Sequence, residues 1–341
     1  MIVVSGASGF LGSYVVCILL EKGKRVRAFR RATSTMHEFN NIFNYYFIAK
    51  TDFEKEALLR YLEWITADVT DISSLDEGLT GANEVYHCAA MVSFVQKDRK
   101  KMLHINAEGT TNMVNMALQK GVQSFCHVSS IAALGRAKSG ELITEEAKWN
   151  QSKHNSNYAI SKYKAEMEVW RAAEEGLNVT IVNPGVILGV GDWNKGSSKL
   201  FKLVWNGMPF YTEGVNGYVE VKDVARAMIY IMEKKLFGER FILVGKNVNM
   251  RWYLDMVAAF LGKKKPTIKV NHAISQLAWM VDGFKSFLLG KTPSLTKETA
   301  RAARNQYFYS SAKIEKLGFA FTPMEQTLEE TCKQFLITNS N

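Results

Sequence analysis

The sequence predicts an α/β fold: a doubly wound parallel sheet with a smaller, mostly helical C-terminal region. The chain opens on a strand-type apolar run, Ile2-Val-Val-Ser5, followed by a glycine turn and a helical pattern. Apolar runs of strand length then alternate with helical stretches as far as about residue 185. Beyond residue 186 the pattern changes to short strands, amphipathic helices and more aromatics. The 341 residues, 47% hydrophobic with only 5 Pro, suffice for one large domain and a smaller one. The expected division gives residues 1–185, plus about 215–245, to the sheet domain. The smaller region takes about 186–214 and 246–335.

The first elements carry the most information. Gly6-Ala-Ser-Gly9-Phe-Leu-Gly12 lies between the opening strand and an amphipathic helix through Tyr14, Val15, Ile18, Leu19 and Leu20. Gly23 ends that helix, and Val26 to Phe29 forms the next strand. Strand, glycine turn, helix and strand make a βαβ unit, the context in which such a motif binds a dinucleotide. Gly6 allows the tight turn, Gly9 lets a pyrophosphate approach the backbone, and Gly12 lets helix and strand pack closely. Free N–H groups at the helix N-terminus then face the phosphates. Gly6, Ser8, Gly9, Phe10, Leu11 and Gly12 are therefore candidate cofactor residues of a Rossmann-type domain.

The second strand ends Val26-Arg-Ala-Phe-Arg30-Arg31, without the carboxylate that would hold a ribose 2′-hydroxyl. Two guanidiniums stand there instead, and their fork suits a 2′-phosphate. The expected cofactor is NADP(H), with NAD(H) as the alternative. Residues 33–62 are polar and aromatic, with a helix-like stretch from Phe53 to Leu62, and read as a surface insertion or a lid near the adenosine.

Leu62 to Ala67, Glu84 to Ala90 and Ser124 to Val128 read as further strands. Small Ala89 and Ala90 at a strand's exit leave room for a ligand above the sheet edge. Met91, Ser93 and Phe94 follow and are the substrate-facing candidates. Tyr158 and Lys162 are one helical turn apart, so a phenol and an ammonium share a face. A cation there favours the phenolate and makes Tyr158 a usable acid or base. Ser129-Ser130, after a strand, offers a hydroxyl to a carbonyl oxygen beside that phenol.

The GxxGxxG spacing, the Ser–Tyr–Lys set and Pro184-Gly185 resemble the extended short-chain dehydrogenase/reductase superfamily, that is, the NAD-dependent epimerase/dehydratase family. The resemblance covers nearly the whole chain. Its last part, Leu295 to Phe319, is similar to the dihydroflavonol-reductase and 3β-hydroxysteroid-dehydrogenase branch. The resemblance implies Ser130, five residues before Gly135, as the catalytic serine, with Ser129 beside the cofactor. It implies Asp68 and Val69 at the adenine, Ala89 and Ala90 along ribose and phosphates, and Pro184, Gly185 and Val186 at the nicotinamide. It implies that Lys162 and Tyr158 also hold the nicotinamide ribose, and that Asn106 supports the site. Asp223 matches a position that usually caps a helix.

The remaining features narrow the function. Net charge is +10, but the basic runs are short and scattered, and no nucleic-acid module is visible. Cys17, Cys88, Cys126 and Cys332 are far apart and read as buried thiols, and the six histidines show no metal-ligand spacing. No metal is expected. The apolar stretch Ala273 to Leu289 is broken by Gln276, Asp282 and Lys285, so an amphipathic helix is expected rather than a membrane span. With no signal peptide before Ile2, a cytoplasmic location is expected. The superfamily's helices near 101–120 and 156–175 imply a homodimer. The expected function is an NADP(H)-dependent oxidoreductase acting on a carbonyl or alcohol carbon of a small substrate. The alternatives are a nucleotide-sugar epimerase or dehydratase using bound NAD(P), and a non-enzymatic dinucleotide sensor.

Overall fold

Strand-length apolar runs become seven parallel strands: β1 (Ile2–Ser5), β2 (Val26–Arg30), β3 (Leu62–Thr66), β4 (Glu84–His87), β5 (Ser124–Val128), β6 (Asn178–Pro184) and β7 (Glu239–Leu243). The computed structural model describes residues 1–135, 140–152, 155–270 and 305–339. The sheet runs β3-β2-β1-β4-β5-β6-β7, so the order reverses between β1 and β4. A reversal of this kind opens a crevice at the carboxyl ends of the strands. Successive side chains enter opposite cores. Val4, Tyr86, Cys126 and Val182 face one layer, and Val3, Val85, Phe125 and Ile181 face the other. Each such aliphatic side chain taken out of water contributes about 1.5–3 kcal/mol.

Helix α1 (Phe10–Glu21) is buried continuously from Leu11 to Leu20. The amphipathic helix expected here is therefore apolar all round, because both of its faces are covered. The cover is the 33–62 insertion, which folds into α2 (His37–Tyr46) and α3 (Asp52–Leu59). Phe39, Ile42, Phe43 and Phe47 join the same core as Tyr14 and Ile18. The first helix of the insertion, which was not expected, is thus a core layer rather than a lid, whereas the second buries no residue and stays at the surface. The second begins at Asp52, with Thr51 and Glu54 forming a capping box.

Two further helices matter for the site, α4 (Asn157–Glu174) and α5 (Val221–Glu233). Within 215–245, α5 and β7 pack on the large sheet, whereas Val215–Glu220 pairs with Val186–Leu188 and Lys246–Asn249 in a small mixed sheet. The second region gathers around Phe201, Tyr218, Tyr253, Leu254, Leu328 and Phe335. Asp223 caps no helix here: its carboxylate accepts from the Thr322 N–H at 2.6 Å and hydroxyl at 3.0 Å, tying the C-terminal segment to α5. The expected helix at 273–289, and residues 295–304 of the stretch 295–319, lie outside the described residues. Among the described residues no helix is long and apolar enough to cross a membrane.

Candidate active site

Ser156 starts α4, its hydroxyl accepting the Ala159 N–H at 3.0 Å. The first turns of this helix then carry Tyr158 and Lys162 to the ends of β4 and β5. Lys162 is 2% exposed, and its Nζ donates to the Val128 carbonyl at 2.6 Å. Burial lowers its pKa to about 8, against the opposing pull of the Glu166 carboxylate. Tyr158 is half-buried. Burial raises its pKa, and the neighbouring Ser130 hydroxyl acts in the opposite sense. The expected lowering by Lys162 is not found, since the ammonium is pinned to Val128 and desolvation of the phenol dominates.

The two serines separate cleanly. Ser130 is extended, its side chain accepts the Ala132 N–H at 3.1 Å, and it meets Tyr158. Ser129 is its neighbour in the chain and points away, donating to Glu166 Oε2 at 2.6 Å. Phe94 sets its ring edge-to-face on Tyr158, with centroids 5.9 Å apart. Of the other substrate-facing candidates, Ser93 is turned aside to Asp98 at 2.6 Å, and Met91 is held through its backbone.

Asn106 does that holding. It lies in a single π-helical turn, His104–Glu108, of the kind that often marks functional sites. Its Oδ1 accepts from Met91 N at 2.7 Å, and its Nδ2 donates to Met91 O at 2.9 Å and Ser161 Oγ at 3.0 Å. Ser161 in turn donates to the Tyr158 carbonyl at 2.8 Å. Asn106 thus clamps the β4 exit to α4 and makes no hydrogen bond to the Ser130, Tyr158 or Lys162 side chains. Behind it, His87 joins Ser5 and Thr110 at 2.7 and 3.0 Å.

The glycine turn fits a dinucleotide. Gly6 has φ +65°, and a Cβ there would lie 2.8 Å from Ala89 Cα. A Cβ on Gly12 would lie 2.2 Å from the Gly6 carbonyl. Gly9 begins α1 with no side-chain cap, so the helix N-terminus beside Ser8, Phe10 and Leu11 keeps its N–H groups for an anion. Arg30 is half-buried at the end of β2 and Arg31 is exposed. Neither forms an ion pair among the described residues.

The other expected cofactor contacts are more mixed. Asp68 Oδ1 is occupied by Thr70, accepting its N–H at 2.9 Å and hydroxyl at 2.8 Å, while Val69 packs against Gly109. Ala89 is half-buried and Ala90 exposed at the strand exit. Pro184 ends β6, and Val186 opens the next short strand. A Cβ on Gly185 would lie 2.4 Å from the Gly217 carbonyl. That glycine is required by strand packing, whatever lies above it.

A model of the NAD dependent epimerase/dehydratase family matches residues 2–245. The chain belongs to this family. It is an NAD(P)-dependent oxidoreductase of the extended short-chain dehydrogenase/reductase superfamily. It is 26% identical over 340 residues to a putative dihydroflavonol 4-reductase of Synechocystis sp., covering 97% of this chain and 93% of that one. It is 26% identical over 350 residues to cinnamoyl-CoA reductase 1 of Petunia hybrida, covering 98% and 91%. The crystal structure of gox2253 superposes with a TM-score of 0.79 at 29% identity, covering 99% of this chain and 98% of that one.

Around this oxidoreductase site the sequence reading missed Glu166, Asn183, Arg240 and His127. Glu166 had a signal, since it repeats the four-residue spacing of Tyr158 and Lys162. The others come from separate strands, and only the folded sheet brings them near.

Proposed function

We propose that the protein is an NADP(H)-dependent reductase or dehydrogenase acting on a carbonyl or alcohol carbon of a small substrate. The observation that carries this reading is the Ser130 hydroxyl beside the Tyr158 phenol, with Lys162 buried one turn along the same helix. NADPH, when bound, supplies the hydride. Gly6, Gly9 and Gly12 let its pyrophosphate approach α1, and Arg30 and Arg31 pair with its 2′-phosphate. Ser130 donates a hydrogen bond to the substrate oxygen, and Tyr158 delivers the proton to that oxygen. Lys162, one turn along the helix, holds the nicotinamide ribose beside Tyr158. In the oxidative direction Tyr158 takes the proton instead. Phe94 gives the substrate an apolar edge, and a homodimer is the expected assembly. The reductase names of the relatives support hydride transfer over sugar epimerisation.

Tyr158→Phe tests the proton donor: kcat is expected to fall about 10²–10⁴-fold with NADPH affinity retained. Unchanged turnover on a panel of aldehydes and ketones would remove the mechanism. Fluorescence titration with NADPH and NADH tests the cofactor. Replacing Arg30 and Arg31 by serine is expected to cost about 10–100-fold in NADPH affinity and little in NADH affinity. Equal binding of both cofactors by the unaltered protein would end the 2′-phosphate argument, and turnover of a UDP-sugar would favour epimerase chemistry.

A further inference from the structure

Tyr158, Lys162 and Glu166 form one stripe of α4, and Glu166 is its buried end, 1% exposed. Its Oε2 accepts from Ser129 Oγ at 2.6 Å and Asn183 Nδ2 at 3.0 Å. Asn183 Nδ2 also donates to the Ser130 carbonyl at 3.0 Å. Glu166 Oε1 pairs with Arg240 Nη1 at 3.1 Å. Arg240, on β7, extends the rest of its fork to the loop between Ser130 and Tyr158: Nε to the Glu145 carbonyl at 2.8 Å, Nη2 to the Ala147 carbonyl at 2.7 Å. Glu145 closes the circuit by accepting the Ile242 N–H at 2.9 Å. One carboxylate therefore joins the ends of β5 and β6, the helix bearing Tyr158 and, through Arg240, the intervening loop.

Burying a carboxylate costs several kcal/mol, and a well-packed apolar residue often replaces a buried ion pair without loss of stability. The surroundings of Lys162 give this charge a use. The titratable groups facing the ammonium are Glu166 on α4, His87 on β4, Cys88 just beyond that strand, and His127 from β5. Burial holds both histidines neutral and pushes the Cys88 thiol up to about 12. Glu166 is the anion of the group.

We propose that Glu166, held by Arg240, is a positioning residue that fixes Ser130 against Tyr158 and supplies the counter-charge of Lys162. The proposal rests on the reading that Tyr158 and Lys162 carry the proton chemistry. Glu166→Gln keeps the shape and removes the charge. It is expected to lower kcat about tenfold or more, with NADPH affinity within about threefold. The alkaline limb of its kcat profile is expected to move down by about one pH unit, because Lys162 without its anion loses its proton earlier. Glu166→Asp, which restores the charge, is expected to return the limb to its original pH. An unmoved limb with kcat within about twofold per folded molecule would overturn the proposal.

Should Glu166→Gln fail to fold, Arg240→Lys carries the test, since it keeps a cation but cannot fork onto two carbonyls. Its kcat is expected to fall about fivefold at an unchanged limb, and full kcat would overturn the positioning role. An inactive Tyr158→Phe beside a fully active Glu166→Gln would sink this proposal alone. An active Tyr158→Phe would sink the reading beneath it.

Discussion

The Lys162 ammonium is almost sealed from solvent, and it titrates near about 8 rather than the ordinary 10.5. Two consequences follow, of opposite benefit. Activity is expected to fall as pH rises through about 8, where Lys162 loses the charge with which it holds the ribose. Stability runs the other way. Between about 8 and 10.5 the unfolded chain holds a proton that the folded chain has released, so stability rises with pH across that window. Below about 8 both states hold it and the penalty is full. Lys162→Met is therefore expected to abolish turnover yet stabilise the fold at pH 7 by about 1–3 kcal/mol, a gain that shrinks towards pH 10. Chemical denaturation at both pH values reads this directly, and a destabilised variant at pH 7 would contradict it. Gly12→Ala tests the turn: its methyl would sit 2.2 Å from the Gly6 carbonyl, so a loss of about 1–3 kcal/mol is expected together with weakened NADPH binding. The glycines, Tyr158 and Lys162 were legible because each signal is local: a turn, a helix start, a four-residue spacing. Arg240 was not, since it reaches Glu166 across 74 residues of sequence.

Elements were legible where hydrophobic period and breakers agreed, as in the large sheet. The 33–62 insertion was harder, because its aromatics read as surface features until the neighbour they cover is known. The clue lay in α1 itself. Phe10 to Leu20 contains no charged residue, so the helix has no face that prefers water. Phe39, Phe43 and Phe47 supply the missing cover, with Phe43 and Phe47 edge-to-face at 5.0 Å. Phe43→Ala is expected to cost about 3–5 kcal/mol. Turnover per folded molecule should stay near that of the unaltered protein at low temperature. A lid residue would give the reverse, with kcat or KM altered and the melting temperature little changed.

At the scale of the molecule, the large sheet and the smaller region are tied at several points. Tyr14 donates to the Val190 carbonyl at 2.8 Å, and Asp223 holds Thr322. The pocket-forming positions after residue 186 follow no motif, and the core of Phe201, Tyr253 and Phe335 is assembled from distant segments. The centre of the sheet makes a prediction for the whole fold. His87 and His127 lie opposite each other on β4 and β5, with rings stacked at 5.4 Å and both almost fully buried. Burial lowers His87 to about 3 and carries His127 well below its ordinary range. As pH falls below about 6.5, the unfolded chain takes up two protons that the folded chain refuses. The stability these histidines provide is thus present above 6.5 and, for His87, lost progressively down to about 3. Together they are expected to cost about 3 kcal/mol per pH unit in that window, beyond what carboxylates contribute. His87→Gln, which can still meet Ser5 and Thr110, should remove about half of that slope. Urea unfolding at pH 7, 5.5 and 4.5 compares the two proteins. Parallel lines would mean that the histidines do not set the acid limit of the fold. Converging lines would mean that neutrality beneath Lys162 is maintained at the expense of acid stability.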